Sequence, residues 1–539
     1  MNHLNTQCIQ FQIDSISQAV IMFRTVFYIG LFFSFLAVNE SARILAWFPV
    51  PSISHQIVFR PITQELAKRG HKLTIITPNP AFPRNESPEN LTEIDVHDIS
   101  YGAWKKYFSM RHNQMTDDIV LQTEIILEAL MAVVDIQLNT AEMKDIINGT
   151  QKFDLLMIEA CAFSALAIVE VLNVPVIQVS SFGAIAGQLE AFGAPSHPFL
   201  YPLALRKRTY NLTIWEKAQQ LYATWRIIRL GEKFNPLVKN MLNKHFRIND
   251  TRMDKLLKRV DLLLLNEHPV WSANRPVPPN IVYMGGIHQK PKRNLPQDLQ
   301  SYLDSSKHGV IYMSFGTNVD PSRLPPEKIQ TFIKVFSKLP YDVLWKWNED
   351  ELPGRSQNIR IFKWLPQSDL LHHPNIKLFI TQGGLQSTDE AITAAVSVIG
   401  VPFIADQWYN VEQCVHHGVG IQLDIRTLDK EKLGHAIKRV IGDASYRKNM
   451  VKLRDLMYDQ PMSALERAVW WTEHVLRHGG ARHLKTPAAG MGWADYYELE
   501  LFTFLLGALL VSVLMVVVTV KYVIRSVRIF AHSDKVKKI

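Results

Sequence analysis

The sequence predicts two doubly wound α/β domains, followed by C-terminal helices and one transmembrane helix. Three observations lead to this fold class. Short apolar runs alternate with helical patterns between residues 44 and 440, and the runs are apolar at nearly every position, as in parallel strands covered on both faces. After residue 445 the pattern is helical only. Residues 501–520 carry no charge, and a helix of that length spans the ~30 Å hydrocarbon core of a membrane.

The apolar runs form two sets of predicted strands. The first set lies at 44–50, 72–77, 154–159, 175–180 and 261–266, and the second at 309–316, 342–347, 359–364, 376–381, 396–404 and 420–424. Predicted helices lie at 57–68, 327–338, 385–395, 430–440, about 446–458 and about 464–478. We therefore expect domains over residues 43–285 and 301–480, joined by a Gly-, Pro- and Lys-containing linker at 286–300. Two such domains leave a ligand-binding cleft between the carboxyl ends of their strands.

The composition narrows the class of protein. The chain has 539 residues, of which 47% are hydrophobic and 20% charged, and this excludes a disordered or low-complexity protein. Its cysteines, Cys8, Cys161 and Cys414, are too few for a disulfide scaffold or a cysteine-rich zinc site. The formal net charge is +9, and a large part of it lies in the basic tail 521–539. The remaining charge is too small for a nucleic-acid-binding surface on so large a body.

Both ends of the chain predict a membrane-anchored protein. Residues 1–42 contain an apolar run after Arg24, typical of a secretory signal peptide, with Met22 as an alternative start. The predicted transmembrane helix 501–520 follows a juxtamembrane segment, 481–500, and precedes the basic tail 521–539, whose charge marks the cytosolic side. A buried core helix is the alternative for 501–520. The final residues KVKKI resemble a lysine-based retrieval signal, with stop-transfer charge as the alternative. We therefore expect a single-pass type I protein of the endoplasmic reticulum membrane with a luminal body.

Sequons in the first half agree with a luminal location. The glycosylation candidates are Asn90, Asn148, Asn211 and Asn249. A further sequon at Asn85 is disfavoured by the proline that follows its serine.

One block of the second domain carries a specific signature. Residues 364–407 read WLPQSDLLHHPNIKLFITQGGLQSTDEAITAAVSVIGVPFIADQ. This block resembles the UDP-glycosyltransferase family, in particular its membrane-bound animal members and, in detail, the insect ones. The resemblance extends from about residue 44 to the tail and includes SHQIVFRPITQELAKRGHKLTIIT, MGGIH, SFGTNV and RAVWWTEHVLRHGGARHL. It implies a fold of the GT-B type, with acceptor binding in domain 43–285 and UDP-sugar binding in domain 301–480.

The resemblance implies a donor site in the second domain. Trp364 would stack on uracil, Gln367 would contact the nucleoside edge or its ribose, and Glu390 would accept both ribose hydroxyls. A Gly-rich turn between a strand and a helix exposes N–H groups at the positive end of the helix dipole, so it suits a diphosphate. The diphosphate candidates are Gln382, Gly383, Gly384 and Ser387, with Ser314 and Thr317 on the opposite loop, and Asp406 and Gln407 match the pair that binds sugar hydroxyls.

Each donor residue also has a structural interpretation. A tryptophan at the end of a strand is often part of the core, a Gly-rich turn often serves packing, and an isolated glutamate is often a charge on a helix surface. The surrounding block favours the functional interpretation in each case. One position departs from the family, because many members have His where this chain has Gln382. An amide still donates to a phosphate but without the charge of an imidazolium.

The catalytic candidates lie in the first domain. His55 follows the first predicted strand and matches the general base of the family, although a lone histidine there is often structural. Glu159 lies where many members have an aspartate that orients the imidazole. The resemblance implies direct transfer with inversion at the anomeric carbon. The sequence contains no Asp-x-Asp motif, so we expect neither a catalytic metal nor another cofactor besides the UDP-sugar co-substrate.

These observations lead to one functional hypothesis and several alternatives. We expect the chain to transfer a hexose, with glucose as the favoured sugar, from a UDP-sugar to the hydroxyl of a small lipophilic acceptor. The expected role is detoxification of phenolic or other lipophilic compounds. A glucuronosyl donor, an endogenous steroid or lipid acceptor, and a non-catalytic lipophile-binding pseudoenzyme are the alternatives. Arg275 lies at the predicted domain junction, and the sequence leaves open whether it contacts a phosphate, a carboxylate or neither. The sequence leaves open whether the chain forms homo- or hetero-oligomers.

Overall fold

The computed structural model describes residues 41–110, 118–185, 187–202, 206–248, 253–317 and 319–536. Nearly all of the predicted signal region, the glycosylation candidate Asn249 and the last three residues of the retrieval-like tail lie outside these ranges.

The first half of the chain forms a parallel sheet of seven strands in the order β3-β2-β1-β4-β5-β6-β7. These strands are β1 Arg43–Trp47, β2 Lys72–Thr77, β3 Leu91–Asp95, β4 Leu155–Glu159, β5 Val176–Ser180, β6 Leu262–Leu265 and β7 Ile281–Tyr283. The five strands predicted here are confirmed, with ends within a few residues, because strands buried on both faces are apolar throughout. The sequence missed β3 and β7. The first is a partly exposed edge strand with two acidic residues, and the second has only three residues.

Helices cover both faces of the first sheet. They are α1 Ile53–Lys68, α2 His97–Met110, α3 Ile119–Gln137, α4 Ala141–Ile147, α5 Val169–Leu172, α6 Gln188–Ala191, α7 Ile214–Phe246 and α8 Met253–Lys258, with a 3-10 segment at Phe163–Ile168. The predicted helix 57–68 begins earlier than expected, because Ser52 is extended and ends the preceding loop. His55 therefore lies in the first turn of α1 and not in the loop before it.

The second half forms a parallel sheet of six strands in the order β10-β9-β8-β11-β12-β13. These strands are β8 Val310–Ser314, β9 Asp342–Lys346, β10 Ile359–Phe362, β11 Ile376–Thr381, β12 Val398–Gly400 and β13 Gly420–Gln422. The helices around it are α9 Gln297–Ser305, α10 Pro326–Phe336, α11 Gln367–Leu371, α12 Leu385–Thr393, α13 Gln407–His416, α14 Lys430–Gly442 and α15 Ala444–Tyr458, with a 3-10 turn at Pro321–Arg323. All six predicted strands of this half are found.

The next helix returns to the first sheet. Helix α16, Ala464–Arg477, buries Ala468, Val469 and Val475 in the same core cluster as strand residues such as Ile44. Helix α15 instead packs on the second sheet through Met450. The chain therefore crosses between the two halves after α15, and α16 lies on the first sheet although its sequence falls within the range 301–480.

The C-terminal segment leaves the folded body. A 3-10 turn at Arg482–Leu484 and the short helix α17, Trp493–Tyr496, lead into α18, Leu499–Val536. Residues Leu499–Phe530 of α18 are long and apolar enough to cross a membrane and are not buried by the rest of the protein. The helix is thus longer than the predicted apolar stretch 501–520, because helical structure continues into the basic residues that follow.

Candidate active site

A cleft of about 2560 Å³ lies between the carboxyl ends of the two sheets. Its walls come from the loops after β1 and β4 on one side and after β8, β10 and β11 on the other. The predicted site residues that line it are His55, Ser314, Thr317, Trp364, Gln367, Gln382, Gly384, Ser387, Glu390, Asp406 and Gln407. Glu159 and Gly383 lie directly behind this lining. The structure therefore brings the predicted catalytic and donor residues to one cavity.

His55 is held by a buried carboxylate. Its Nδ1 lies 2.6 Å from Oε1 of Glu159, which ends β4 and is almost fully buried. The backbone N–H of Val50 donates to the other carboxylate oxygen at 3.0 Å. With Nδ1–H donating to Glu159, Nε2 of the imidazole is the acceptor nitrogen. The longer side chain of Glu159, compared with aspartate, is thus accommodated by contacts to both of its oxygens.

Cys161 is a third member of this group that the sequence did not assign. Its thiol donates to Oε1 of Glu159 at 3.5 Å, and burial together with the Glu159 charge raises the pKa of the thiol well above its usual value. Ligand atoms of His55, Glu159 and Cys161 lie within 4.8 Å of one another. The contacts present are those of a hydrogen-bonded relay, because Glu159 is in contact with the His55 imidazole, the backbone N–H of Val50 and the Cys161 thiol.

The turn between β11 and α12 is built around a glycine. Gly383 has φ +85°, and a Cβ there would lie 2.3 Å from Cγ2 of Val411. Its N–H donates to Oγ1 of Thr381 at 3.2 Å, so this amide is used within the turn. Gly384 is the N-cap of α12 and lines the cleft. The N-terminus of α12, and not the Gly383 amide, is therefore the part of the turn that faces the cavity.

Gln382 fills the space between this turn and the loop after β8. Its side chain is buried, its Oε1 accepts a hydrogen bond from Thr381 at 3.2 Å, and a Cβ at Gly316 would lie 2.2 Å from its Nε2. Lys346, which the sequence did not identify, donates from Nζ to the carbonyl of Gly316 at 2.6 Å. Burial lowers the pKa of Lys346. A positive charge thus stands beside the predicted diphosphate site.

Trp364 offers an open aromatic face to the cleft. It follows β10 by two residues, and 66% of its surface is exposed, which is unusual for a tryptophan. Lys346 Nζ lies 5.9 Å from its ring centroid. Such an exposed indole at a cavity wall suits stacking of a flat heterocycle.

Gln367 makes hydrogen bonds to three residues on the predicted ribose side of the cleft. Its Nε2 donates to Oγ of Ser387 at 2.9 Å and to Oε2 of Glu390 at 2.6 Å, while its Oε1 accepts from the hydroxyl of Tyr312 at 2.9 Å. Burial, with a smaller contribution from Asp369, raises the pKa of Glu390 to about 7, and the Gln367 hydrogen bond opposes this. Gln367 therefore orients Glu390 and Ser387 through its own hydrogen bonds, beyond the direct nucleoside contact predicted for it.

Asp406 and Gln407 lie at the start of α13, facing the first half of the chain. Burial raises the pKa of Asp406, and hydrogen bonds from Asn410 together with the charge of His55 oppose the rise. His55 and Asp406 line the same cavity, so the two walls of the cleft face each other at this point. Gln407 uses its Oε1 to accept the backbone N–H groups of Phe403 and Ile404, at 2.9 and 3.1 Å.

Asn410 is a site residue that sequence reasoning missed. Its Nδ2 donates to the carbonyl of Gly383 at 3.0 Å and to Oδ2 of Asp406 at 2.8 Å, while its Oδ1 accepts from Nε1 of Trp271 at 3.0 Å. Its position four residues after Asp406, on the same face of a helix, was the available signal. Asn410 thus links the predicted donor turn, the predicted sugar-binding residue Asp406 and the first half of the chain.

Other predicted residues lie outside the cleft or away from the donor side. Asn148 and Asn211 are exposed and Asn90 is partly exposed, as glycosylation requires. Arg275 is buried, donates from Nε to the carbonyl of Pro195 at 2.8 Å and lies 3.6 Å from Glu190. Its guanidinium is therefore engaged with the 190–202 segment of the first half.

Comparison with known proteins gives consistent relatives over nearly the whole chain. A family model described as UDP-glucoronosyl and UDP-glucosyl transferase matches residues 42–535. An ecdysteroid UDP-glucosyltransferase of Spodoptera littoralis nuclear polyhedrosis virus is 36% identical over 487 residues, covering 86% of this chain and 93% of the relative. UDP-glycosyltransferase UGT5 of Dactylopius coccus is 32% identical, with 95% and 98% covered, and UDP-glucuronosyltransferase 2B10 of Homo sapiens is 27% identical, with 90% and 93% covered.

Solved structures agree on the fold. The calicheamicin glycosyltransferase CalG4 superposes with a TM-score of 0.54 at 14% identity, covering 81% of this chain and 99% of that one. The glycotransferase of kitacinnamycin gives a TM-score of 0.54 at 15% identity, with 80% and 99% covered. The predicted architecture, two facing Rossmann-like domains of the GT-B type with a C-terminal apolar helix, is confirmed.

Proposed function

The chain belongs to the UDP-glucoronosyl and UDP-glucosyl transferase family and is a UDP-sugar-dependent glycosyltransferase, and from this premise we propose that it transfers glucose to a small lipophilic alcohol or phenol with inversion, using His55 as the general base. The observation that carries the proposal is the position of the His55–Glu159 pair on the cleft wall opposite the donor residues. A carrier that only binds lipophilic compounds would not require this pair.

In the proposed step, Nε2 of His55 accepts the hydroxyl proton of the acceptor. The hydroxyl oxygen forms a bond to the anomeric carbon from the face opposite UDP, and the bond from that carbon to the phosphate oxygen breaks, with its electron pair leaving on UDP. Glu159 orients the imidazole and stabilises its protonated form. The N-terminus of α12 and Lys346 stabilise the charge that develops on the leaving diphosphate. Because these groups supply the positive potential, we expect no catalytic metal.

The donor assignment rests on contacts of three groups. Trp364 would stack on the uracil, Glu390 would accept the ribose hydroxyls, and the pair Asp406 and Gln407 would bind hydroxyls of the sugar. Glucose is proposed because two viral relatives at 36% identity and one Dactylopius coccus relative at 31% identity are named glucosyltransferases. Glucuronate is the alternative, since mammalian relatives at 27% identity are named glucuronosyltransferases.

A lipophilic acceptor is supported by the first half of the cleft. This wall is lined by aromatic and aliphatic side chains, including Trp104, Ile126, Phe163, Phe182, Ile185, Trp225 and Phe234. The same cavity continues to Met491, Trp493, Tyr496 and Tyr497, directly before the apolar helix α18. We propose that acceptors are compounds that partition into the membrane, that the body is luminal, and that the enzyme serves detoxification; a steroid acceptor, as named for the viral relatives, is the alternative.

The test is a matrix of donors and acceptors assayed with the full chain in microsomes. UDP-glucose, UDP-glucuronate and UDP-galactose are each combined with phenols and with a steroid alcohol. His55→Ala should reduce turnover by about 10²–10⁴. The matched control is His308→Ala, an exposed histidine before β8 that should leave turnover unchanged. Binding of donor and acceptor without turnover in any combination would favour the carrier, and undiminished turnover by His55→Ala would remove this residue from the mechanism.

A further inference from the structure

A short segment of the first half of the chain reaches across to the second half just before α7. We call this segment, residues 206–213, the strap. It contacts α13, the helix that begins at the proposed sugar-binding residues, with Asp406 as its N-cap and Gln407 as its first residue. The strap therefore joins the first half to the helix that carries the proposed sugar site.

The centre of this contact is the carboxylate of Glu412, on α13. Oγ1 of Thr209 donates to its Oε2 at 2.8 Å, and the backbone N–H of Tyr210 donates to its Oε1 at 3.3 Å. Burial raises the pKa of Glu412, and the hydrogen bonds from the strap oppose this rise because they favour the charged carboxylate. Glu412 is only 8% exposed, so it depends on the strap for its hydrogen-bond donors.

Aromatic contacts extend the strap along α13 on both sides of this carboxylate. The ring of Tyr210 stacks on His416, with the centroids 3.8 Å apart and the planes 3° from parallel, and its hydroxyl donates to Oε1 of Gln413 at 2.9 Å. Toward the start of the helix, Nζ of Lys207 lies 4.8 Å from the ring centroid of Trp408. The carboxylate and the two contacted rings of α13 are four residues apart, so they form one row along the helix.

The strap is itself fixed to α7. The guanidinium of Arg206 donates to Oε1 of Gln220 and to Oγ1 of Thr224, at 2.5 Å each. Nε2 of Gln220 donates back to the carbonyl of Arg208 at 2.6 Å, and α7 begins directly after the strap with a capping box that includes Thr213. The strap therefore forms one unit with α7, which lines the proposed acceptor side of the cleft.

The length of α13 determines how strongly the strap affects the cleft. Glu412 and Asp406 are six positions apart, which corresponds to ~9 Å along a helix axis. A tilt of ~5° about the strap end of the helix would therefore shift Asp406 by roughly 0.8 Å. A misplacement of ~1 Å in an active site is enough to lower turnover by about 10². The orientation of α13 is thus a quantity on which transfer of a bound sugar depends.

We propose that Thr209, Tyr210 and Glu412 are positioning residues for the transferred sugar. Through their contacts the strap fixes the orientation of α13, and with it the side chains of Asp406 and Gln407. This inference rests on the proposed function, since it takes these two side chains as the groups that bind the sugar hydroxyls. The three positioning residues do not line the cleft, so they act through α13 and not by touching the sugar.

The experiment compares the affinities of UDP and UDP-glucose for the full chain in detergent micelles, by calorimetry. The double variant Thr209→Val/Tyr210→Phe removes two hydroxyl donors and keeps the backbone and the stacked ring. The Kd for UDP-glucose should rise about five- to tenfold, whereas the Kd for UDP should stay within about twofold, because the contacts with UDP are proposed for residues outside α13. Thr209→Ser keeps the hydroxyl and should bind both ligands like the wild type. Tyr222→Phe, at an exposed position of α7 outside the cleft lining, is the matched control.

A second variant tests whether Thr209 acts through the carboxylate. In Glu412→Gln only one side-chain oxygen accepts, so the Kd for UDP-glucose should rise about three- to tenfold. Addition of Thr209→Val to this variant should have little further effect, because the two residues form one contact. Fully additive effects would contradict the assigned route.

Asp406→Ala distinguishes failure of this inference from failure of the proposed sugar site. If Asp406→Ala weakens UDP-glucose relative to UDP but the strap variants do not, the inference is wrong and the sugar site stands. If Asp406→Ala leaves this ratio unchanged, the sugar assignment is wrong and the inference fails with it. An equal loss of UDP and UDP-glucose affinity in the double variant would also overturn the inference, since it would indicate a general opening of the cleft. Thermal unfolding identifies a variant that loses binding because it unfolds, and the single variants Thr209→Val and Tyr210→Phe then take its place.

Discussion

The pH dependence of donor binding follows from the surroundings of Glu390. Burial raises the pKa of this carboxyl to about 7, with Asp369 adding to the rise and the Gln367 hydrogen bond opposing it. The proposed role of Glu390 is to accept two ribose hydroxyls, which requires the carboxylate form. Since the carboxylate fraction grows as the pH rises through 7, the affinity for a UDP-hexose should increase with pH.

The size of the effect can be worked out by linkage. With a pKa of about 7, roughly a tenth of the free enzyme carries the carboxylate at pH 6 and roughly nine-tenths at pH 8. If only the carboxylate binds donor, the apparent dissociation constant falls about tenfold between these pH values. At pH 7, binding should release about half a proton. In Glu390→Gln, the amide can still accept from Gln367, but the pH dependence should disappear.

Calorimetry with UDP-glucose on the full chain at pH 6, 7 and 8 provides the measurement. UDP-glucose itself has no group that titrates in this range, and two buffers of different ionisation enthalpy report the proton release. The other carboxyls near this site are Asp389 and Asp406, whose pKa values are also raised by burial. The Glu390→Gln variant separates them from Glu390. A flat affinity in the wild type, or the same tenfold change in Glu390→Gln, would refute the reasoning.

Three further changes test the site. In Glu159→Gln only one side-chain oxygen can accept a hydrogen bond, whereas the N–H groups of His55 and Val50 need one acceptor each. Turnover of a phenol should therefore fall by about 10²–10⁴, with the KM for UDP-glucose unchanged. An equal loss of donor affinity would contradict this. Gln382→His should bind UDP as well or more tightly, by up to ~1 kcal/mol in calorimetry, because an imidazolium adds charge to the hydrogen bond; a large loss would count against the phosphate assignment. Asn410→Leu should weaken UDP-glucose binding by about tenfold. Trp271→Phe, which removes the Nε1 donor together with part of a buried ring but keeps the bonds of Asn410 to Gly383 and Asp406, should weaken it less. Equal effects would show that Asn410 acts through the domain contact alone.

Most of the fold could be predicted because its strands are buried on both faces. Such strands are apolar throughout, so all eleven predicted runs coincide with strands of the two sheets. The predictions failed where this signal ends. The strand Leu91–Asp95 was missed because it lies at the sheet edge and contains polar residues. Residues 401–404 were predicted as strand, but they form a loop that leads from Val398–Gly400 toward the cleft. Burial alone does not separate a short strand from the apolar loop beside it.

The site was predictable only as a set of residues matched to a family. The contacts that build it join distant parts of the chain: His55 and Glu159 are 104 positions apart, and Trp271 and Asn410 are 139 apart. Periodicity is local and carries no information about such pairs. Lys346 was missed for this reason. Asn410 was missed because its local spacing from Asp406 does not reveal its contacts with Gly383 and Trp271, which are distant in the sequence.

Residues that shape the proposed donor turn also make hydrogen bonds between the two halves of the chain. Asn410 binds the Gly383 carbonyl and Asp406 on one side and Trp271 of the first half on the other, while Gln386, in the first turn of α12, donates to the carbonyl of Ser181 at 2.8 Å. A shift of one half relative to the other must therefore stretch hydrogen bonds that also shape the proposed sugar and diphosphate sites. Because the proposed base His55 lies on the first half and the proposed donor residues on the second, the same bonds would set the distance between that base and the anomeric carbon of a bound sugar. Substitutions at this junction should consequently alter donor affinity and turnover together, whereas Glu159→Gln, confined to the first half, should alter turnover alone.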